Sequence, residues 1–361
     1  MHLERLYIDR VRNLTEQRLT LGPGANFVVG GNGSGKTTIL EAISLLSTGR
    51  SFRTSTARPL IQHTQPACTV QGRLVGEAVQ KELGVRRHRS GEVELRVNGI
   101  SVASLVELAS ALPTVLIDTS ASDLIVGQPE LRRRYLDSTM FHVEQRFLAC
   151  WRRYHKALRQ RNAGLRRGMI SGYSAWCAEV AGSGEVLSAL REPVAQQLSQ
   201  RFARIATTLS PSLSGVDLSF RPGWSRPDTL EQVLRVGLDT DRSQGYTRAG
   251  PHRADLRMVV NGRAASEVLS RGQLKLAVVA LKAAQAEVMV DMGVSPPVFL
   301  VDDLGSELDG PHAAAVCGLL AQTGSQVVLT AVAEQELQQY WRGGDQCLFH
   351  VEQGCVSPAR G

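Results

Sequence analysis

The stretch NFVVGGNGSGKTTILEAI, Asn26 to Ile43, constrains this chain more than any other. An apolar run that reads as a strand enters a glycine-rich centre, and a helix-forming run leaves it. Gly30 to Thr37 fits the pattern GxxxxGK[ST]. In that context the glycines let backbone N–H groups turn inward around phosphates, at a helix N-terminus that already favours anions. Gly30, Gly31, Asn32, Gly33, Ser34, Gly35, Lys36, Thr37 and Thr38 are therefore the candidate nucleotide-binding residues. Lys36 is expected to reach the β- and γ-phosphates and the Thr37 hydroxyl to ligate magnesium. Only five lysines occur in the chain, and one of them falls here.

A second segment supplies acid. PVFLVDDLGSELD places an apolar strand at 298–301 in front of Asp302 and Asp303. A buried strand with a carboxylate at its C-terminal end is how phosphate-loop proteins bring an aspartate to magnesium. The expected roles are metal ligand for Asp302 and orientation of the attacking water for Asp303.

LSRGQ (269–273) raises a different question, because one nucleotide does not need two glycine-centred loops. It resembles the LSGGQ loop of ABC-class ATPases, which caps the γ-phosphate bound to the opposite subunit. Ser270, Arg271, Gly272 and Gln273 are then candidate contacts to a partner's ATP, with the positive end of the helix that follows. SELD (306–309) fits the loop used across such an interface. An ATP-dependent homodimer is thus expected. Lys36 and Ser270 lie 234 residues apart, far more than in transporter subunits. The strand QVVLT ends in Thr330 where transporters carry a histidine nearby, which argues against a transport ATPase subunit. A clamp that binds ATP without hydrolysing it is disfavoured by the pair Asp302 and Asp303.

Short strands are expected at 3–9, 18–21 and 26–29, a helix at 37–46, and three or four strands between 67 and 97, ending at the turn Asn98-Gly99. From about Pro129 to 209 the pattern is helical. A Pro/Ser/Gly-rich patch (210–227) and a short helix (228–238) lead back to α/β character. The predicted architecture is α/β: a P-loop ATPase head of ABC/SMC type, residues 1–118 and 241–361, with a mainly α-helical second lobe inserted at 119–240. The opening MHLERLYIDR has no signal-peptide pattern, no apolar run spans a bilayer, and the six scattered cysteines include no CxxC pair. A reduced, cytoplasmic protein without a zinc site or membrane partner is expected.

Large insertions between the two loops are a property of the SMC group, and within it the chain resembles the RecF family over essentially its whole length. The resemblance is carried by VRNL (11–14), GGNGSGKTTILEAISLLSTGRSFR (30–53), GQPELRRRYLD (127–137), LRQRNAGLR (158–166), YTRAGPHRADL (246–256), LSRGQLKL (269–276) and VDDLGSELD (301–309). It implies a slow, DNA-dependent ATPase of recombinational repair, with ATP and Mg2+ as cofactors, that dimerises on ATP. It also implies binding to duplex DNA and duplex/single-strand junctions, and work with RecO and RecR in loading recombinase at single-strand gaps. The chain departs from the family in IDTSASDL (117–124), which lacks the proline–acid pair expected after Ile117, and in VRN, where a phenylalanine often precedes Arg-Asn.

Charge points to DNA independently. Residues 132–167 hold eleven Arg or Lys against two acids, a net of +9, whereas the whole chain carries +7. Arg152, Lys156 and Arg159 recur at helical spacing and, with Arg153, are the candidate DNA contacts.

Overall fold

The computed structural model describes residues 1–54, 56–77, 79–118, 120–168 and 173–358. The chain divides into two compact units, Met1–Ala121 with Gly293–Gly361, and Ser122–Met292. Elements are numbered in chain order.

The first unit holds two six-stranded sheets. One is antiparallel, in the order β2 (Gln17–Thr20), β1 (His2–Asp9), β4 (Ala67–Val75), β5 (Gln80–His88), β6 (Val93–Val97), β7 (Ile100–Ser101). The turn between β6 and β7 is Asn98-Gly99, with φ of 51° and 77°, the left-handed pair that a two-residue hairpin requires. The other sheet runs β15 (Cys355–Pro358), β14 (Gln346–Glu352), β3 (Ala25–Val29), β13 (Val327–Ala331), β12 (Val298–Val301), β8 (Thr114–Ile117). All its pairs are parallel except β14 with β15. β3, β12 and β13 are buried at every position, as expected of parallel strands covered on both faces.

Helix α1 (Lys36–Thr48) leaves the phosphate loop and carries Ile39, Leu40, Ile43 and Leu46 into a core shared with both sheets. It stops at Gly49 in the left-handed conformation, φ 66°, the usual C-terminal cap. The remaining helices of this unit are α2 (Leu105–Ala111), α11 (Leu304–Glu307), α12 (Gly310–Gln322) and α13 (Glu334–Tyr340).

The second unit is mainly helical: α3 (Asp123–Val126), α4 (Pro129–Val143), α5 (Phe147–Arg166), α6 (Tyr173–Leu209), α7 (Leu230–Val236), α8 (Leu238–Gln244), α9 (Ala265–Val268) and α10 (Arg271–Asp291). A three-stranded antiparallel sheet accompanies them, in the order β11 (Arg263–Ala264), β10 (Asp255–Val260), β9 (Val216–Arg221). The 37-residue α6 packs along α5 and α10. Of the helical run expected over 129–209, residues 169–172 lie outside the described residues.

The α/β class and the strand–loop–helix around the glycines are as the sequence predicts. Two features differ. The Pro/Ser/Gly-rich patch 210–227 contains β9, whose VDLSFR pairs with β10 in register Asp217↔Val259 through Arg221↔Asp255. The second division of the chain also falls after Met292, not after 240. Residues 241–292 are tied to the inserted unit because β10 pairs with β9 and α10 runs against α6.

Candidate nucleotide-binding site

In the first unit the topology converges on one end of the parallel sheet. β3 delivers the glycine loop, its neighbour β13 ends near Thr330, and β12 beyond it ends at Asp302. Residues distant in sequence therefore meet at adjacent strand ends. The Thr37 hydroxyl donates to the Asp302 carboxylate, 3.0 Å from both oxygens. Thr330 donates to Asp302 Oδ1 at 2.7 Å and accepts from the Asp303 N–H at 2.9 Å. The Asp302 N–H is held by the Ile117 carbonyl of β8.

The loop is shaped for an anion. Lys36 is 7% exposed, and its Nζ donates to the Gly30 and Gly31 carbonyls at 2.7 and 3.0 Å. Among the described residues no carboxylate pairs with it. A buried ammonium without a counter-charge is costly, and a phosphate would supply that charge. α1 follows Gly35 with no side-chain cap and no acid in its first turn; the Thr38 and Ile39 N–H groups bond the Gly35 carbonyl, and those of Lys36 and Thr37 stay available to phosphate oxygens. The exposed side of the loop has room, since a Cβ on Gly31 or Gly33 would meet nothing within 4 Å. Ser34 Oγ is buried beside Gly30, without a hydrogen-bond partner.

Magnesium fits as well. Octahedral ligands at about 2.0–2.1 Å leave adjacent ligand oxygens roughly 2.9 Å apart, which matches the 3.0 Å between Thr37 Oγ1 and the Asp302 carboxylate. Asp303 lies beside the site with its backbone left-handed, φ 52°. That conformation is uncommon for a side-chain-bearing residue, and the Thr330 hydroxyl helps to hold it.

Several residues with no role assigned from sequence complete the site. Asn13 Nδ2 donates to the Ser34 and Gly33 carbonyls at 2.9 and 3.3 Å, and its Oδ1 accepts from Thr38 Oγ1 at 3.2 Å. The Thr38 hydroxyl is thus spent on bracing the loop. Gly35, φ 126°, passes so close to this brace that a Cβ would sit 2.8 Å from Leu14 Cδ2. Arg12 forms a two-pronged ion pair with the fully buried Glu41 of α1, and Ser51 hydrogen-bonds the same carboxylate. The segment 11–14 and the segment after α1 are both anchored to the helix that carries Lys36. Of the stretch 117–124, Thr119 lies outside the described residues; Ser120 donates to the Asp118 carboxylate at 3.1 Å.

The second unit holds the other candidates. Ser270 is the N-cap of α10 and forms a capping box with Gln273: Ser270 Oγ accepts from the Gln273 N–H at 3.3 Å, and Gln273 Oε1 accepts from the Ser270 N–H at 2.9 Å. A hydroxyl that accepts one bond still has its own proton to give. Ser270, Arg271 and Gly272 are exposed, and a Cβ on Gly272 would meet nothing within 4 Å. The 21-residue helix behind them is anchored by Leu274, Leu276 and eleven further buried residues.

The basic segment 132–167 is less uniform than its charge suggests. Arg132 is bound bidentately by Asp255, Arg133 donates to the Ala254 carbonyl, and the fully buried Arg161 pairs with Asp241. These cations are structural. Arg153 pairs with Glu179 at 2.5 Å on the surface, which removes it from the free candidates. Arg152, Lys156 and Arg159 are exposed on α5 with no acidic partner among the described residues.

The profile of the RecF/RecN/SMC N terminal domain family matches residues 2–355. The chain is 43% identical to the DNA replication and repair protein RecF of Stutzerimonas stutzeri, over all of this chain and 98% of that one. It is 44% identical to the protein of the same description from Azotobacter vinelandii, over 99% and 98%. A solved structure described as the recombination mediator protein RecF with ATP in the RecFOR pathway superposes with a TM-score of 0.85 at 25% identity, covering 99% of this chain and 98% of that one. An SMC head bound to the C-terminal winged-helix domain of ScpA shares the fold, with a TM-score of 0.61 at 16% identity over 99% and 97%. With the phosphate loop, the acidic strand and the capped LSRGQ helix all in place, the chain belongs to the RecF/RecN/SMC N-terminal domain family, among the DNA replication and repair proteins of RecF type.

Proposed function

We propose that this chain is an ATP-gated, DNA-binding ATPase of recombinational repair that closes as a homodimer over two ATP molecules. The observation that carries the reading is the convergence of Lys36, Thr37 and Asp302 at one end of the parallel sheet, with a buried ammonium that has no carboxylate partner among the described residues. The glycine loop and the N-terminus of α1 cradle the phosphates, and Lys36 moves from the loop carbonyls to the β- and γ-oxygens. Thr37 and Asp302 are suited to hold magnesium, which would neutralise charge on the phosphate oxygens. Asp303 orients the attacking water and accepts its proton. Ser270 and the free N–H groups of Arg271 and Gly272 cap the γ-phosphate in the partner's site. ABC-class ATPases commonly use glutamate where Asp303 stands. The shorter side chain supports slow turnover, so ATP acts more as a clasp than as fuel.

DNA is the proposed polyanion for Arg152, Lys156 and Arg159, whose stripe along α5 follows phosphates without reading sequence. Work with RecO and RecR is supported by the RecFOR description of the solved relatives, and a cytoplasmic setting by the likeness to DNA replication and repair proteins; among the described residues no helix is long and apolar enough to cross a membrane.

Lys36→Arg tests the reading. A planar guanidinium keeps the charge but cannot replace a compact ammonium in the closed loop. ATP-dependent dimerisation, measured by light scattering with and without duplex DNA, should be lost. Intact dimerisation would remove Lys36 from the site.

A further inference from the structure

Within the second unit, one short segment receives an unusual concentration of desolvated polar side chains. Asn162 Oδ1 accepts from both the N–H and the hydroxyl of Thr247, at 2.8 and 2.7 Å. The fully buried Arg161 donates to the same hydroxyl and to Asp241, and Asp241 also accepts the Arg248 N–H. Tyr154, fully buried, hydrogen-bonds His252 Nδ1 at 2.6 Å, while the far side of that ring meets the Thr247 carbonyl at 2.9 Å. Arg191, 2% exposed, reaches the Pro251 carbonyl at 2.9 Å. Gly250, φ 133°, is forced against this frame: a Cβ there would lie 2.6 Å from the Tyr154 hydroxyl. Residues 247–252 are thus fixed from α5, α6 and α8 at once. Buried guanidiniums are a poor source of net stability, since desolvation offsets their pairing. Their use here holds one backbone in one conformation, as a preorganised binding element requires.

What this segment turns outward is specific. Tyr246 is 40% exposed, and the Arg253 guanidinium lies over its ring, 5.4 Å from the centroid. Arg248 and Arg253 are exposed, and neither has a carboxylate partner among the described residues. Arg166, at the exposed end of α5, runs against Gly245, where a Cβ would lie 3.1 Å from Arg166 Cγ. An aromatic face backed by a cation, with two further arginines close by that have no carboxylate partner among the described residues, suits a chain of bases and phosphates whose bases are unpaired. Duplex DNA keeps its bases stacked inside and could use only the charges.

We propose that Tyr246, with Arg248, Arg253 and Arg166, forms a docking site for single-stranded nucleic acid: one base stacks on Tyr246 and the arginines take the flanking phosphates. The site deepens the DNA-binding reading given above: Arg166, about two turns along α5 from Arg159, continues the stripe of Arg152, Lys156 and Arg159 towards it. The pair would let one protein hold both sides of a duplex/single-strand junction.

The test compares binding of labelled oligothymidylate and of a duplex of equal length to the full chain with ATP, by fluorescence anisotropy. Base–aromatic stacking corresponds to roughly a 5- to 150-fold change in affinity. Tyr246→Ala should weaken oligothymidylate by that factor and leave the duplex within about twofold. Tyr246→Phe, which keeps the ring, should bind like the unmodified protein. Arg248→Ala with Arg253→Ala should weaken oligothymidylate and reduce its salt dependence. The proposal is overturned if the unmodified chain does not bind oligothymidylate, if Tyr246→Ala leaves that binding unchanged, if Tyr246→Ala weakens both ligands equally, or if Tyr246→Phe fails like Tyr246→Ala. Loss of duplex binding on reversing Arg152, Lys156 and Arg159 tests the α5 reading by itself. A chain that binds oligothymidylate through Tyr246 but no duplex would sink that reading and keep this one.

Discussion

Thr330→Val is the sharpest probe of how the acidic strand is held. The two side chains have nearly the same shape, so the fully buried position stays filled and only the hydroxyl is lost. That hydroxyl makes two bonds, a donation to Asp302 Oδ1 at 2.7 Å and an acceptance from the Asp303 N–H at 2.9 Å. A hydrogen bond to a charged group contributes roughly 1.5–3 kcal/mol. If all of it were expressed in the transition state, turnover would fall about 10- to 150-fold. Asp302 keeps its contact with Thr37, so the lower part of the range applies, about 10- to 30-fold. Asp303 also loses the contact that helps to hold its left-handed backbone, which moves its carboxylate away from the attacking water. ATP affinity should change little, because Lys36, the glycine loop and the N-terminus of α1 do not touch Thr330. The assay is steady-state hydrolysis beside equilibrium binding of a fluorescent ATP analogue, with Thr330→Ser as the rescue. Turnover within twofold of the unmodified protein in a folded Thr330→Val variant would refute the role given to Thr330, as would a Thr330→Ser variant no better than Thr330→Val.

Three further outcomes are expected. Ser270→Arg should leave ATP binding by the monomer nearly normal and abolish the ATP-dependent dimer in light scattering; loss of monomer binding would sink the assignment of this loop to the partner's nucleotide. Reversing Arg152, Lys156 and Arg159 to Glu should flatten the dependence of log K on log salt for duplex DNA by roughly 2.7 per subunit, at about 0.9 for each lost phosphate contact. Arg153→Glu, whose arginine already has Glu179 as partner, should change that slope by less than one contact. Burial holds His142, His155 and His252 down to about 4, against an ordinary value of 6.5. Their neutral forms are the native ones, so their contribution to stability is complete above pH 6.5 and is lost as pH falls towards 4. The thermal midpoint of the second unit should drop across that window, and His252→Gln should make the drop shallower; a midpoint flat from pH 7 to 4 would contradict the burial of these rings.

The phosphate loop, the acidic strand and the LSRGQ helix start were legible because each depends on local residue order. A glycine-rich loop must stand between its strand and its helix, and a serine three residues before a glutamine is itself a capping signal. Thr330 and Asn13 were not legible as site residues. Thr330 reaches Asp302 only because β13 lies beside β12 in the sheet, an adjacency set by tertiary packing. Asn13 braces the glycine loop from a turn outside any periodic element, where a polar residue reads as solvent-facing. The uneven character of the basic segment was hidden for a related reason: sequence gives the charge of Arg132, Arg133 and Arg161 but not the acids and carbonyls that α8, β10 and the residue before β10 bring to them. β9 was hidden because six residues between Gly215 and Pro222 carry too short an alternation to stand out from a loop.

The glycine loop hangs on β3, and both strands flanking β3 come from the far end of the chain, β13 at Val327–Ala331 and β14 at Gln346–Glu352. During synthesis, then, the residues that bind ATP leave the ribosome early and wait without their sheet while some 300 more residues follow. The inserted unit is continuous in sequence and has everything it needs once Met292 has emerged, and units of this kind fold as they appear. The order of assembly runs opposite to the order of the motifs: the helical unit first, the nucleotide site last. A chain cut short after Met292 would carry an intact GGNGSGKT and an intact LSRGQ yet have no place to put the phosphates, so nucleotide binding reports that translation has passed β13 and β14.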